Sequence, residues 1–242
     1  MGRLTGRVGI VTGASSGIGE AIAEALAAEG MAVLLAARRK DRLEQLAAKI
    51  EAAGGRARVC QTDVTNEDDV ICLFHAANNE FARLDLLVNC AGIADATPTD
   101  QLSLTRWREM VDANLTSAFL CAREALRMMK PQKRGRIINV ASISAKMSRE
   151  NSIAYTSTKF ALEGMTRSLA LDGRPFGITA SVIHPGATVT ELVPNMAGRP
   201  AAQSMQASEV AAVVSLMAAL PDETNLLEAT ILPIGQPFLG RG

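Results

Sequence analysis

Tyr155-Thr156-Ser157-Thr158-Lys159 sets an ammonium four residues after a phenol, the spacing at which two side chains share one face of a helix. A cation beside a phenol favours the phenolate, so this pair is suited to exchange a proton with a substrate oxygen near neutral pH. Ser142 follows the aliphatic run Arg136–Val140, 13 residues before Tyr155. A hydroxyl just past the carboxyl end of a parallel strand faces the ligand crevice of such a sheet, where it can hold a carbonyl. Each group also has a plain structural reading, as a tyrosine and lysine on a helix surface and a serine in a turn.

A second group of residues suits phosphate. Thr12-Gly13-Ala14-Ser15-Ser16-Gly17-Ile18-Gly19 follows the run Val8–Thr12 and opens a helical pattern. There, glycines let backbone N–H groups and a helix N-terminus approach a pyrophosphate. The spacing is G-x-x-x-G-x-G, not the G-x-G-x-x-G of the general dinucleotide pattern, and a turn whose glycines only relieve strain is the alternative. Eighteen residues beyond Gly19 stands Ala37, at the place where an acid would accept a ribose hydroxyl, and Arg38 and Arg39 follow it. A guanidinium fork there matches a 2′-phosphate. The reading is NADP(H) in preference to NAD(H), against the alternative of an exposed basic pair that begins a helix with Lys40.

These groups need a frame, and the hydrophobic pattern supplies one. Short apolar runs at Val8–Thr12, Ala32–Ala36, Arg56–Cys60, Leu86–Asn89, Arg136–Val140, Thr179–Ile183 and Ala229–Leu232 read as strands. Helical patterns fall at Gly17–Glu29, Lys40–Ala53, Glu67–Phe81, Leu104–Met129, Ala154–Leu171 and Glu209–Leu220. The alternation predicts an α/β fold, a doubly wound parallel seven-stranded sheet with helices on both faces, in one domain over 1–242. Thr65-x-x-Asp68 predicts a capping box for the third helix, and Trp107, Met110, Val111, Leu115, Ala118, Phe119 and Ala122 predict a buried stripe. Gly186–Ala207 reads as a substrate lid, with Val189, Leu192, Val193, Met196 and Met205 as an apolar wall.

Composition narrows the classes. Of 242 residues, 25 are Lys or Arg and 25 Asp or Glu, so no net field draws a nucleic acid, and no apolar run reaches the length of a membrane span. Cys60, Cys72, Cys90 and Cys121 lack metal-ligand spacing, so no metal is expected. Neither a secretory signal nor, with Gly6 where Ser or Thr is needed, a myristoylation signal is read. A cytoplasmic setting with reduced thiols follows. His184 reads as a structural histidine and His75 as a surface residue without a role.

Taken together, Thr12–Gly19, Asn89-Cys90-Ala91-Gly92, Asn114, Ser142, Tyr155-x-x-x-Lys159 and Pro185-Gly186 resemble, in order and spacing, the short-chain dehydrogenase/reductase family over nearly the whole chain. The resemblance implies a Rossmann fold with Tyr155 as general acid or base. Lys159 would assist it and bind the nicotinamide ribose, Ser142 would anchor the carbonyl and Asn114 would hold a relay water. It further implies a cofactor held by Gly13, Ser15, Ser16, Gly17, Ile18 and Gly19, by Arg38 and Arg39, and by Asp63 and Val64 beside the adenine. Asn89, Ala91 and Gly92 would close the site, and Pro185, Gly186, Thr188 and Thr190 would cover the nicotinamide. The activity implied is hydride transfer between NADP(H) and a small or medium ketone, aldehyde, keto ester or 3-hydroxy acid. A non-catalytic NADP-binding sensor on the same fold is the alternative. Pairing of the helices around Trp107–Leu126 and Ala154–Leu171 would give a homotetramer or homodimer.

Overall fold

Every residue of Val8–Thr12 and Ala32–Ala37 is buried, as strands must be when helices cover both faces of their sheet. The computed structural model describes residues 2–192, 200 and 202–237. Its strands are β1 (Val8–Thr12), β2 (Ala32–Ala37), β3 (Arg56–Gln61), β4 (Leu86–Asn89), β5 (Gly135–Val140), β6 (Ile178–Pro185) and β7 (Glu228–Ile231). They form one parallel sheet in the order β3-β2-β1-β4-β5-β6-β7. The order reverses between β1 and β4, which opens a crevice beyond their carboxyl ends.

Strand alternation divides the core. Val11, Val33 and Leu35 pack under α1 (Gly17–Ala28), α2 (Lys40–Ala52) and the last helix, while Ile10, Leu34 and Ile137 pack under α3 (Glu67–Phe81) and α5 (Ser117–Gln132). α6 (Ile153–Gly173) lies beside α5, and α7 (Ala207–Ala219) closes the first face. Rossmann topology follows as expected, with strand ends shifted by a residue or two.

Three local expectations need correction. The helix over Leu104–Met129 is α4 (Leu104–Val111), then a π-helical turn at Asp112–Thr116, then α5, with the Ser117 N–H reaching the Asp112 carbonyl. The cap of α3 is Asn66, whose carbonyl oxygen accepts from the N–H groups of Asp68 and Asp69, because the Thr65 hydroxyl is already bound to Asp63. Of the supposed buried stripe only Met110, Ala118 and Ala122 are buried. Trp107, Val111 and Leu115 are half-buried and Phe119 is exposed, since the π turn rotates the face of α5 relative to α4.

A buried polar chain ties the sheet to α5 and α6. The Asn89 amide donates to the Asn139 side-chain oxygen (2.9 Å) and to the Ala118 carbonyl. Asn139 donates in turn to Thr166 (2.8 Å), which donates to the Leu162 carbonyl. Asn139→Ala strips the Asn89 amide and the Thr166 hydroxyl of a buried partner and is expected to cost about 2 kcal/mol, read from the urea midpoint at constant slope. A change below about 0.5 kcal/mol would show that the chain does not stabilise the fold.

His184, near the end of β6, is fully buried. Its Nδ1 lies 3.0 Å from the Ser142 carbonyl, to which it must donate, and Nε2 has no hydrogen-bond partner. Burial holds the imidazole below its usual pKa. The Ser142 carbonyl, Glu228 and Glu163 oppose this and Lys146 reinforces it. The unfolded chain therefore takes up the proton first. Stability linked to this group is present above about pH 6.5 and is lost as pH falls from there through the folded pKa. His184→Asn is expected to flatten the decline of unfolding free energy between about pH 6.5 and 5, and an unchanged slope would count against a buried neutral imidazole.

Candidate active site

Two cavities meet at Tyr155. The larger, about 840 Å³, lies over the β1–β4 reversal and is lined by Gly13, Ser15, Ser16, Gly17, Ile18 and Gly19 on one side and by Ala91, Gly92, Tyr155 and Lys159 on the other. Arg38, Arg39, Asp63 and Val64 line its far end. The loop between β1 and α1 is built to approach a ligand closely. Gly13 has φ +68, and a Cβ there would stand 2.8 Å from the Ala91 backbone; one on Gly19 would collide with the Gly13 carbonyl. Ser16 begins α1 in extended conformation without a side-chain cap, leaving the first-turn N–H groups open toward an anion.

The two arginines do different things. The Arg39 guanidinium folds over the loop, donating to the Ser15 hydroxyl (3.1 Å), the Ser16 hydroxyl (2.6 Å) and Glu191 (2.9 Å). Arg39 holds the Glu191 carboxyl below its ordinary pKa, with help from Arg42. The Glu191 carboxylate thus occupies the Arg39 fork. Arg38 lies on the Asp63 side. Burial tends to raise the Asp63 carboxyl, but hydrogen bonds from Thr65 and the charge of Arg38 outweigh it, and the net direction is down. Glu191 is a residue that sequence reasoning missed; its lone acid charge in an irregular stretch gave no signal.

On the chemical side, the Lys159 ammonium is buried, donates to the Val140 carbonyl (3.1 Å) and stands 5.5 Å from the centre of the Tyr155 ring. Asn114, in the π turn, accepts from the Ile93 N–H (2.7 Å) and donates to the Ile93 carbonyl (3.0 Å) and to Thr158. Ser142 lines the second cavity, about 620 Å³, together with Tyr155, Pro185, Gly186, Thr188, Thr190 and Leu192. Its hydroxyl accepts from the Ser144 N–H (3.1 Å). Tyr155, Lys159 and the glycine loop thus face one cleft, and Tyr155 and Ser142 face its neighbour.

Other expected residues fall elsewhere. Asn89 lies buried in the polar chain behind the cleft, and Pro185, Gly186 and Thr188 line the second cavity, not the first. Near the two ends of the 186–207 stretch, Thr188 bridges to Met205, and the Val189 N–H donates to the Met205 carbonyl (2.9 Å). Met205 does not wall the cavity; it is buried in the core with Val210 and Val214. Val193, Pro194, Met196 and Gly198 lie outside the described residues. Burial pushes the Cys90 thiol up to about 12, against the opposing charge of Lys159, so it packs as an inert apolar group beside the cleft. Among the described residues no helix is long and apolar enough to cross a membrane.

Comparisons with known proteins agree with this fold. The chain is 38% identical over 193 residues to a 3beta-hydroxysteroid dehydrogenase of Mediterraneibacter gnavus, covering 79% of this chain and 70% of that one. It is 36% identical over 228 residues to a 3-oxoacyl-[acyl-carrier-protein] reductase of Synechocystis sp., covering 91% and 92%. An alcohol dehydrogenase from the archaeon Thermococcus sibiricus, solved in complex with 5-hydroxy-NADP, superposes with a TM-score of 0.88 at 27% identity over 95% of this chain and 97% of that one. The family model described as short chain dehydrogenase matches residues 7–200, and with a glycine-lined crevice meeting Tyr155 and Lys159, the chain belongs to the short-chain dehydrogenase/reductase family of oxidoreductases.

Proposed function

We propose that the protein is an NADP(H)-dependent oxidoreductase acting on the carbonyl, or in reverse the secondary alcohol, of a small or medium ketone, aldehyde, keto ester or 3-hydroxy acid. The observation that carries this reading is that Tyr155 lines both cavities, so one phenol faces the cofactor cleft and the substrate space at once. The open N-terminus of α1, the side-chain-free surfaces at Gly13 and Gly19, and the Arg39 fork fit a phosphorylated dinucleotide. When bound, the nicotinamide supplies or accepts the hydride.

The chain's own residues manage position and proton. Tyr155 gives its proton to the carbonyl oxygen during reduction and takes it back from the alcohol during oxidation. Lys159, held by the Val140 carbonyl, directs its charge at that phenol. Ser142 donates a hydrogen bond to the same substrate oxygen, its own carbonyl being fixed by His184. Asn114 braces the segment after β4 against α6, which sets the wall opposite the glycine loop, and it is the residue that would hold a relay water. The exposed Phe119 and Phe160, on α5 and α6, suit pairing of these helices in a homodimer or homotetramer of a single-domain, cytoplasmic enzyme.

Tyr155→Phe is expected to bind NADPH as the wild type does while turnover of a carbonyl panel falls about 10³-fold; unchanged kcat would end the proton-transfer role. Arg39→Ala is expected to weaken NADPH by about tenfold, near 1.4 kcal/mol, with little effect on NADH in calorimetric titrations. Equal losses for both cofactors would show that the fork does not read the phosphate.

A further inference from the structure

The cavity beside Tyr155 carries one feature that hydride chemistry does not require. Among the described residues lining it, Arg149 is the only charged side chain. The remainder of the wall is apolar, as at Ile143, Met147 and Leu192, or neutral and hydrogen-bonding, as at Ser144, Ser148 and Gln203. The Arg149 guanidinium stands 5.7 Å from the centre of the Tyr155 ring, within the reach of a cation–π contact. This is an exposed positive charge over the Tyr155 ring, with no carboxylate among the described residues of the cavity wall to answer it. Arginine offers paired N–H donors in a plane, the geometry a carboxylate accepts best. A guanidinium left unanswered beside a cavity also favours anionic over neutral ligands as they enter.

From this arrangement we infer that Arg149 is a specificity-determining residue and that the substrates are short oxo acids and their hydroxy-acid counterparts, bound by their carboxylate. The inference rests on the carbonyl-reductase reading above and narrows it. With the guanidinium 5.7 Å from the centre of the Tyr155 ring, the substrates that fit this reading carry the carboxylate a few bonds from the carbonyl, as in a 2- or 3-oxo acid. A neutral ketone or a long acyl thioester brings no negative charge to that spot. In the reductive direction the carbonyl carbon gains a hydride from NADPH, which becomes NADP+. The C=O π bond breaks toward oxygen, and that oxygen takes the Tyr155 proton. The carboxylate keeps its charge throughout and leaves with the hydroxy acid.

The test uses a matched pair, acetoacetate and methyl acetoacetate, with wild type, Arg149→Ala and Arg149→Lys. With NADPH, Arg149→Ala is expected to lower kcat/KM for the acid by about tenfold or more, chiefly through KM, and for the ester by less than about threefold. Arg149→Lys is expected to restore part of the loss, since charge returns without the fork. Calorimetric titration of acetoacetate into protein saturated with NADP+, which has no hydride to give, is expected to show the same loss of about tenfold. Titration of NADP+ alone into each variant checks that the site still folds. Equal effects on acid and ester, binding of the acid that ignores Arg149, or no binding of the acid at all would overturn the proposal. Arg149-dependent binding without turnover of either compound would leave the carboxylate site standing and remove the reductase reading. Turnover of both compounds regardless of Arg149 would do the opposite.

Discussion

Everything at the site depends on how closely the exits of β1 and β4 approach each other. Two parallel strands that diverge to opposite sides of the sheet leave a crevice, and its width is set by what joins them at the mouth. Here the join is the Thr12 hydroxyl, which is buried and accepts from the N–H groups of both Cys90 (3.1 Å) and Ala91 (3.3 Å). It satisfies two donors that have just left the ladder and would otherwise face the core unpaired. With the strands drawn together in this way, only a residue without Cβ fits at position 13, and the chain turns there through positive φ into α1. The glycine loop is therefore as much a consequence of Thr12 as an adaptation to phosphate. One constraint brings the N-terminus of α1, the Ala91–Gly92 wall and Lys159 around a single space.

The second half of the site hangs on the sheet in the same manner. Lys159 is fixed by a strand carbonyl, Asn114 by both backbone groups of Ile93, and Ser142 through its own carbonyl to a histidine on the neighbouring strand. Each of these side chains is thereby oriented by an element of regular structure or its immediate end, which holds geometry better than a free loop does. The loop after Ser142 has one more anchor. Lys146 lies 2.6 Å from both Glu163 on α6 and Glu228 on β7. Partly buried ion pairs of this kind add little net stability, but they fix where the segment carrying Ser144, Ser148 and Arg149 can run.

How much of this was legible in the sequence follows from which interactions are local. Strands such as Val8–Thr12 and Leu86–Asn89 were readable to the residue, because burial on both faces demands unbroken apolar runs. The Tyr155 and Lys159 pair was readable because helical spacing fixes a shared face. The π turn was not, since one extra residue per turn leaves composition unchanged while rotating Asn114 inward and Phe119 outward. The cap of α3 was assigned one residue early because Asn66 and Thr65 are both competent acceptors, and only the tertiary partner Asp63 decides which is free. Arg38 and Arg39 were seen as a pair, yet adjacent residues leave a strand end in opposite directions, and only Arg39 turns over the glycine loop.

The residues that escaped notice share a cause. Glu191 and Arg149 are charged side chains in irregular segments between or just beyond the motif positions, and no periodicity marks such positions. Their meaning is relational. Glu191 stands out because it completes the fork of an arginine 152 positions away, and Arg149 because the described wall around it is otherwise uncharged. Both cavities thus carry a guanidinium in their walls, in a chain whose formal charges balance to zero. Net charge describes the long-range field, whereas recognition is decided by which charges lack a partner within hydrogen-bonding reach. In the larger cleft an internal carboxylate, Glu191, holds the Arg39 guanidinium in place over the glycine loop, so any outside anion must compete with it. Among the described residues no acid lines the second cavity, so there the Arg149 guanidinium has no competing carboxylate.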